Sequence, residues 1–355
     1  MVYTSEKMVN EKMQTAVFMA PQKIELKELE KPIPKNDEVL IKVKACGICT
    51  ADRRLYSGTK KMGYPLIGGH ETSGMVEEIS GECSRTELEP GDHVALDLID
   101  RCGKCYYCRR GYENQCLKRL GRRVGEIPLR AGGFAEYIAV PSKEVFKISD
   151  KISFEEAALT EPVSCVIHSV HKAHIRSGDT IAIIGAGPMG ILHLLIAKKL
   201  GSIAIVSDID EKRREFAKKL GADFVFNPLE SNVITFVKEH TNGRGADVVF
   251  VTACNKETAS QSIEMAGKVA TVIFYGASYP PTTISIDPNR LHYDEIILTG
   301  SSNRTSKDFS ESVTLLNSEH ISVKPLISKV LPLKDIEKGF KLESKGSIQR
   351  IVVTL

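Results

Sequence analysis

The sequence predicts an α/β protein made of two regions, one rich in β-strands and one built on a doubly wound parallel sheet. Two observations carry this prediction. Short apolar runs punctuated by Gly and Pro fill residues 14–160, as in an all-β, barrel-like unit. From about Thr180 the pattern changes to strands that alternate with helices, which favours parallel pairing with helices on both faces. A chain of 355 residues is long enough for two such units.

The β-rich region begins after residues 1–13, which lack an apolar core and are expected to form an extension rather than a signal peptide. The first strand is predicted at 15–18. Further strands are predicted where apolar and β-branched residues recur between turns, at 38–46, 74–79, 92–98 and 135–140.

The second region is predicted to contain six strands with helices between them. The strands are expected at 180–185, 202–207, 223–226, 246–253, 269–276 and 295–300. The helices are expected at 188–201, 211–221, 231–240 and 256–266. After Gly300 a helical stretch leads to a final strand at 348–355, and we expect this tail to return to the first region. The predicted domains are therefore residues 1–160 completed by 301–355, and residues 161–300.

Composition argues against several classes of partner. Hydrophobic residues make up 42% of the chain and charged residues 26%, which is ordinary for a globular protein. A net charge of +3 is too small to indicate nucleic-acid or membrane binding, and no apolar run approaches the ~20 residues of a membrane-spanning helix. Nine cysteines without an export signal are expected in a reducing, cytoplasmic compartment, where clustered thiols bind metal more often than they pair.

Four cysteines lie within fifteen residues in the pattern C-x2-C-x2-C-x7-C. They are Cys102, Cys105, Cys108 and Cys116. Four thiolates would fill a tetrahedral zinc site and leave no position for a substrate, so such a site would be structural. An iron–sulfur cluster is the alternative, since C-x2-C-x2-C also opens a ferredoxin pattern that closes with x3-C-P. Here seven residues separate the last two cysteines and Leu117 follows, which favours zinc.

A glycine-rich motif, G-x-G-x-x-G, joins the first predicted strand of the second region to its helix. It comprises Gly185, Gly187 and Gly190, with Pro188 and Met189 between the last two. The first glycine permits a tight turn, the second lets backbone approach a pyrophosphate, and the third lets the helix pack on the strand. The phosphates of a dinucleotide would lie at the helix N-terminus, where free N–H groups and the helix dipole favour anions.

Asp208 ends the second strand of this region, 18 residues after Gly190. A carboxylate there can accept hydrogen bonds from the adenosine ribose and repel a 2′-phosphate, which favours NAD over NADP. Arg213 could stack on the adenine. The alternatives are a solvated Asp at a strand end and a surface Arg on an amphipathic helix.

A second set of candidate metal ligands is spread more widely along the chain. Cys46 and Cys49 form a C-x2-C pair, His70 and Glu71 follow them, and Glu161 lies just before the second region. Taken singly, each has an ordinary interpretation as a core or polar residue. Together, a Cys, a His and a carboxylate that leave a fourth position open would make a catalytic zinc site.

The chain resembles the zinc-containing medium-chain alcohol dehydrogenases, on their polyol (sorbitol-type) branch, from about Gln14 to Leu355. The motifs that carry the resemblance are GICTAD (47–52), GHETSG (69–74), the four-cysteine run, GGFAEY (132–137), EPVSCVIH (161–168) and GAGPMG (185–190). The resemblance implies a GroES-like catalytic domain with a structural zinc lobe at about 98–120, and a Rossmann domain that binds NAD. The catalytic zinc would lie in the cleft against the nicotinamide.

The family pattern assigns the first ligand of the catalytic zinc to Cys49 and makes Cys46 a buried neighbour. His70 would be the second ligand. Glu161 holds the position of the third ligand, while Glu71 can itself bind zinc in the polyol branch. The sequence leaves open which carboxylate binds directly and which binds through water.

The chain departs from the family pattern at the proton relay. The family usually has Ser or Thr at the position of Ala51, whose methyl group can pass no proton. Arg54 lies where a proton-accepting His is common, and an Arg stays protonated. We consider two hypotheses. Either a water chain or Glu71 carries the proton, or Arg53 or Arg54 contacts an anionic group of the substrate or cofactor.

The resemblance implies a zinc-dependent enzyme that transfers hydride between NAD and a secondary alcohol of a polyol, sugar or cyclitol, reversibly, as a homotetramer or homodimer. Candidate contacts to this alcohol or its ketone are Arg54, Tyr56, Asn303 and Arg304. The alternative substrate is an amino alcohol, an aminocyclitol or a phosphorylated polyol. A zinc-ribbon nucleic-acid binder would explain the four cysteines but not the glycine-rich motif, and a silent binding protein would leave an intact site without a use.

Overall fold

The computed structural model describes residues 11–60, 62–81, 83–118, 121–342 and 349–355. Residues 1–10 of the predicted N-terminal extension lie outside this description, whereas residues 12 and 13 already belong to the first strand. Within the described ranges, no helix is both long and apolar enough to cross a membrane.

Among its described residues, the first region contains nine strands and three short helices. The strands are β1 (Lys12–Ala20), β2 (Lys23–Glu30), β3 (Glu38–Gly47), β4 (Glu71–Ile79), β5 (His93–Leu96), β6 (Arg122–Val124), β7 (Ile127–Leu129), β8 (Tyr137–Pro141) and β9 (Val145–Lys147). The helices are α1 (Thr50–Tyr56), α2 (Tyr106–Arg109) and α3 (Phe154–Ala158). Strand β3 lies in the middle of its sheet, and seven of its ten residues are buried. It pairs with β4 along one edge and with β8 at the start of the other.

The second region is a six-stranded parallel sheet with helices on both faces. Its strands are β10 (Thr180–Ile184), β11 (Ile203–Ser207), β12 (Phe224–Phe226), β13 (Ala246–Val251), β14 (Ala266–Phe274) and β15 (Ile297–Gly300). Its helices are α4 (Thr160–Ala173), α5 (Pro188–Lys199), α6 (Glu211–Lys219), α7 (Val233–Glu239), α8 (Lys256–Met265) and α9 (Pro288–Asp294). The spatial order β12-β11-β10-β13-β14-β15 is that of a doubly wound dinucleotide fold, and it confirms the predicted fold class.

The C-terminal tail joins the sheet of the first region. It consists of α10 (Ser306–Asn317), β16 (Ile327–Pro332), α11 (Ile336–Lys341) and β17 (Arg350–Thr354). Strand β17 runs antiparallel to the end of β3, with Val353 opposite Cys46, and β16 pairs with β17 on its outer side. The last strand therefore lies beside the segment that leads to Cys49.

Several elements differ from the sequence-based expectation. Strand β2 is absent from the sequence-based expectation, because Lys and Glu make up most of it and it contains no apolar run. In the structure it pairs with β1 as a hairpin. Helix α1 is only seven residues long and follows a strand directly, so no helical period could indicate it. Strand β14 begins at Ala266, three residues before the predicted start, and passes through a left-handed residue at Val269.

Candidate metal and cofactor site

Cys49 lies at the junction between β3 and α1, where it is the N-cap residue of the helix. Asp52, in the first turn of α1, accepts a hydrogen bond from the backbone N–H of Cys49 at 3.3 Å. The other oxygen of the same carboxylate accepts from the N–H of Gly69 at 3.4 Å. Asp52 therefore ties the Cys49 segment to the segment that carries His70.

Asp52 also orients the ring of His70. Its Oδ2 lies 3.3 Å from Nδ1 of the imidazole, which leaves Nε2 as the nitrogen available to a metal. Burial alone would raise the pKa of Asp52, but the neighbouring His70 lowers it. Burial opposes a charged imidazole, yet Asp52 and Cys49 raise the pKa of His70 well above its usual value.

Glu71 is the first residue of β4 and is fully buried. It faces Gly47 on the adjacent strand, and a side chain at Gly47 would collide with the Glu71 carboxylate. Ligand atoms of Cys49, His70 and Glu71 lie within 4.8 Å of one another. Cys46 points elsewhere: its thiol is fully buried, 3.4 Å from Oγ1 of Thr72.

A divalent cation fits this cluster. Both carboxylate oxygens of Glu71 are buried and accept no hydrogen bond from a described residue, although Nη2 of Arg350 lies 3.2 Å from Oε1. Burial raises the pKa of Glu71. A thiol, an imidazole and a carboxylate that share so small a volume are the donor set of a catalytic zinc site. The raised pKa values of His70 and Glu71 mean that these residues hold protons more readily than usual, and a zinc ion would take the place of such protons.

Glu161 does not lie in the same cluster. Its Oε1 accepts a hydrogen bond from Nη1 of Arg304, and the thiol of Cys165 lies 3.5 Å away. Both carboxylates are near enough to influence each other, because the charge of Glu161 contributes to the raised pKa of Glu71. The structure thus groups Glu71 with Cys49 and His70, and holds Glu161 beside them in an ion pair.

Two candidate substrate contacts, Tyr56 and Arg304, are buried and already paired with other residues of the chain. Arg304 is only 1% exposed and is committed to Glu161 and Asp97. Tyr56 is 7% exposed, packs on the ring of Phe340, and donates its hydroxyl to Glu337 at 3.2 Å. Both side chains therefore have partners within the protein, and their roles as substrate contacts stay predictions.

The remaining candidates have varied surroundings. Arg53 donates to the carbonyls of Gly339, Phe340 and Leu342, so it caps the end of α11 and is not free for an anion. The guanidinium of Arg54 lies 3.9 Å from the ring centroid of Tyr279, on the segment after β14. Asn303 is partly exposed, and its backbone adopts the left-handed conformation with a φ of 57°. Its role as a substrate contact stays a prediction.

The four-cysteine lobe, residues 98–118 of the described chain, brings its thiols together. Ligand atoms of Cys102, Cys105, Cys108 and Cys116 lie within 4.8 Å of one another, and none forms a disulfide. Backbone N–H groups lower the pKa of Cys105 to about 6, while burial and its neighbours raise that of Cys108 to about 12. Sulfurs around a tetrahedral zinc stand about 3.8 Å apart for a Zn–S bond of ~2.3 Å, so the donor set fits zinc.

The glycine-rich motif lies at the predicted strand-to-helix turn. Gly185 follows β10 with a φ of 97°, Gly187 is the N-cap of α5, and Pro188 is its first residue. A side chain at Gly190 would collide with the carbonyl of Gly185. This close packing is the reason for glycine at both positions.

Asp208 reaches back to this turn. One carboxylate oxygen accepts from the N–H of Ala186 at 2.8 Å and the other from the N–H of Asp210 at 2.9 Å. Nη1 of Arg213 lies 4.0 Å from the same carboxylate. Both side chains therefore lie at the edge of the turn where the ribose of a dinucleotide is expected.

Arg350, which is not among the site residues predicted from the sequence, links the metal cluster to the glycine-rich turn. Its guanidinium lies near Glu71, donates to the carbonyl of Ile48 at 3.2 Å, and lies 3.5 Å from the sulfur of Met189. Beside it, Gln349 donates to the carbonyl of Ala186 at 3.3 Å. A signal was present, because Arg350 directly precedes the apolar run IVVT of a final strand, and an Arg buried with such a strand needs an anionic partner.

Comparison with known proteins agrees with this architecture. The model of the alcohol dehydrogenase GroES-like domain matches residues 35–150, and that of the zinc-binding dehydrogenase matches residues 188–318. The sorbitol dehydrogenase of Bacillus subtilis is 36% identical over 274 residues, 74% of this chain and 76% of that protein. The L-threonine 3-dehydrogenase of Pyrococcus abyssi is 35% identical over 342 residues, 93% of this chain and 95% of that protein.

A solved structure shows the same fold over nearly all of the chain. Galactitol-1-phosphate dehydrogenase from Escherichia coli superposes with a TM-score of 0.86 at 26% identity, covering 97% of this chain and 100% of that chain. By fold and donor set, the protein is a zinc-dependent dehydrogenase that uses a nicotinamide dinucleotide. The chain belongs to the zinc-containing medium-chain alcohol dehydrogenase family, which confirms the resemblance drawn from its sequence motifs.

Proposed function

We propose that the protein oxidises a secondary alcohol of a polyol, sugar or cyclitol to the ketone with NAD, reversibly, at a zinc held by Cys49, His70 and Glu71. The observation that carries this proposal is the approach of these three donors to within 4.8 Å of one another. Arg350 supports it, since this residue connects Glu71 with Met189 of the glycine-rich turn. The similarity to a sorbitol dehydrogenase supports the choice of substrate class.

The protein's own residues would hold and orient the reactants. Zinc would supply a Lewis acid for the alcohol oxygen, and NAD would accept the hydride. Asp52 fixes the imidazole of His70, and Arg350 balances the charge of Glu71. Glu161, held by Arg304, presents a second carboxylate beside the ligand cluster, where it can contact a substrate hydroxyl or a water.

A substrate panel tests this function. Polyols, inositols, their amino and phosphate derivatives, and threonine would be offered with NAD, and NADH formation would be followed by absorbance. We expect turnover of at least one secondary alcohol, and loss of that turnover in Cys49→Ser. A lack of turnover on the whole panel by protein with both zinc sites filled would sink the proposal.

A second candidate function is the oxidation of an alcohol that also carries an anionic group, such as a phosphorylated polyol or an amino alcohol with a carboxylate. Arg54 favours it. Within the described ranges its guanidinium forms no ion pair, and stacking on Tyr279 holds it between the two regions. Arg54 lies one helical turn from Ala51 on α1, the helix that begins next to Cys49. A stacked guanidinium keeps its edge N–H groups free for phosphate or carboxylate.

Arg54→Met separates the two candidates. For an anionic substrate, we expect the KM to rise about 10-fold or more, since one charge-assisted hydrogen bond contributes ~1.5–3 kcal/mol. For a neutral polyol, the KM should stay unchanged. Arg110→Met is the matched control, because Arg110 also lies over a tyrosine ring, that of Tyr106, but on the four-cysteine lobe. An unchanged KM for every anionic substrate would remove the second candidate.

The proposed cofactor preference is NAD over NADP. Asp208 lies at the ribose edge of the glycine-rich turn, where its charge would repel a 2′-phosphate. We expect Asp208→Ser to raise kcat/KM with NADP relative to NAD by about 10-fold, as one removed repulsion of ~1.4 kcal/mol allows. Equal use of both cofactors by the unaltered enzyme would argue against the preference.

The proposed assembly is a homotetramer or homodimer in the cytoplasm. The family resemblance and nine cysteines that form no disulfide support this proposal. Light scattering coupled to size-exclusion chromatography would measure the assembly, and a monomeric mass would contradict it.

A further inference from the structure

The four-cysteine lobe holds the segment 302–306 through hydrogen bonds that do not involve its cysteines. Asn114 donates from Nδ2 to the carbonyl of Ser302 at 2.9 Å. Glu113 accepts from the N–H of Ser306 at 2.6 Å. Arg101 donates from Nη2 to the carbonyl of Arg304 at 3.1 Å and from Nη1 to Oγ of Ser306 at 3.2 Å.

The segment 302–306 carries Arg304, and a buried chain of charges runs from it in both directions. Arg101 pairs with Asp97 at 2.6 Å, Asp97 pairs with Arg304 at 2.9 Å, and Arg304 pairs with Glu161. The exposed fractions of the four side chains are 6%, 1%, 1% and 8%. Two cations and two anions balance, so removing any single member leaves one uncompensated charge.

We propose that the four-cysteine lobe positions Glu161 in the active site, with Arg101, Asp97 and Arg304 as positioning residues. The inference rests on the proposed function, in which Glu161 faces the substrate or a water. Filling the lobe with its metal would order Arg101, Glu113 and Asn114, which in turn order segment 302–306 and the guanidinium that holds Glu161. The lobe thereby acts on the reaction without touching a reactant.

The four buried charges are better explained by the positioning of Glu161 than by stabilisation of the fold. Burying four charges has a desolvation cost that their mutual attraction barely offsets, and apolar residues of similar size would stabilise the fold as well or better. A buried chain of ion pairs does provide one defined geometry, because each planar guanidinium donates to its carboxylate in only a few orientations. The end of this chain is a carboxylate beside the metal ligands.

Hydrogen–deuterium exchange tests the inference without any turnover. We expect Arg101→Met to raise amide exchange about 10-fold both in 302–306 and in the first turn of α4, where Glu161 lies. Arg109→Met is the matched control, because Arg109 is an exposed arginine of the same lobe outside these contacts. If Arg101→Met does not fold, Asn114→Ala takes its place. Faster exchange in 302–306 with no change at the start of α4 would overturn the inference.

A kinetic cycle tests whether the lobe acts through Glu161. We expect Arg101→Met to lower kcat about 10- to 100-fold, the cost of a small misplacement of a catalytic group, while the KM for NAD and the zinc content are unchanged. In a Glu161→Gln background, Arg101→Met should lower kcat no further. The same fold-loss in both backgrounds would overturn the inference. An inactive wild type would refute the proposed function alone, since the exchange measurement would still decide the inference.

Discussion

Glu71 and Glu161 carry the same side chain near one site, yet different arginines hold them. Arg350 lies 3.2 Å from the Glu71 carboxylate, and Arg304 pairs with Glu161. A buried carboxylate needs a positive neighbour to stay ionised. Glu71 differs from Glu161 in that one of its carboxylate oxygens also lies within 4.8 Å of ligand atoms of Cys49 and His70. Each arginine therefore compensates the charge of one carboxylate, and only Glu71 is grouped with the other candidate metal ligands.

At the residue scale, Ala51→Ser should restore part of a proton relay. Position 51 lies two residues after Cys49 on α1, and a hydroxyl there could pass the proton of the alcohol. We expect kcat to rise by up to about 10-fold, or its pH profile to shift toward lower pH. Thr50→Ala is the control, since Thr50 is exposed and should not matter. No change in either measurement would indicate that another proton route is sufficient.

Val269 should be a strained residue whose replacement by glycine stabilises the protein. Its φ is 61° and its side chain is 69% exposed, so strain is relieved while little packing is lost. A left-handed conformation costs a β-branched residue about 1–2 kcal/mol, and part of that gain is offset by the flexibility of glycine in the unfolded chain. We expect Val269→Gly to raise the free energy of unfolding by about 1 kcal/mol. Val330→Gly, in the exposed part of β16, should lower it.

At the element scale, helices α4 and α10 are joined by a carboxylate between two imidazoles. Asp308 lies 2.8 Å from Nδ1 of His168 and 3.0 Å from Nδ1 of His171, and it also caps α10 through Thr305. Burial opposes the charge of Asp308, but these hydrogen bonds hold its pKa well below its usual range. The hydrogen bond to Asp308 raises the pKa of His171. This junction lies beside the segment that the four-cysteine lobe holds.

The stability contributed by His171 should depend on pH. Folding raises the pKa of His171, so its contribution to the free energy of unfolding is complete below the pKa of an unfolded His, near 6.5. That contribution is lost as the pH rises through the pKa of the folded state. The contribution of Asp308 is complete above about pH 4, so it does not vary in this range. We expect His171→Gln to cost about 0.5 kcal/mol near pH 5.5 and close to zero near pH 8.5. Denaturant unfolding measures both, with His320→Gln as an exposed control; an equal cost at both pH values would contradict the assignment.

At the scale of the whole molecule, the chain returns on itself to complete the site. Strand β17 pairs with β3 and carries Arg350, which contacts Glu71, Ile48 and Met189. The two regions therefore meet at a residue five positions before the C-terminal end of the sequence. The candidate metal ligand Glu71 and Met189 of the glycine-rich turn are therefore contacted by the same guanidinium.

Arg350→Met should destabilise the protein most when the metal is absent. Removing one partner of a buried ion pair costs about 3–5 kcal/mol, because the other charge is left uncompensated. Zinc would compensate Glu71, so we expect the loss to be much smaller in the zinc-loaded protein. Thermal unfolding with and without a chelator measures the difference, and Arg350→Lys should recover part of the loss. An equal loss with and without zinc would mean that Arg350 acts mainly through Ile48 or Met189.

Local patterns were sufficient to predict the fold class and to nominate the metal and cofactor residues. The G-x-G-x-x-G motif, the C-x2-C-x2-C-x7-C spacing and the alternation of strands and helices all act over short stretches of chain. The sequence does not decide which of Glu71 and Glu161 binds the metal directly. Their arginine partners lie 279 and 143 residues away along the chain. No local rule predicts partners at such separations.

By itself the sequence determined the two-region architecture, the cofactor turn and the identity of the four thiols, since each depends on neighbours in the chain. Only the tertiary structure decided that Glu71 joins Cys49 and His70, that Arg304 pairs with Glu161, and that Tyr56 packs on Phe340. The physical reason is that charge compensation and burial are properties of the folded interior. They depend on which distant segments are packed together, and that packing is settled only when β17 returns to β3.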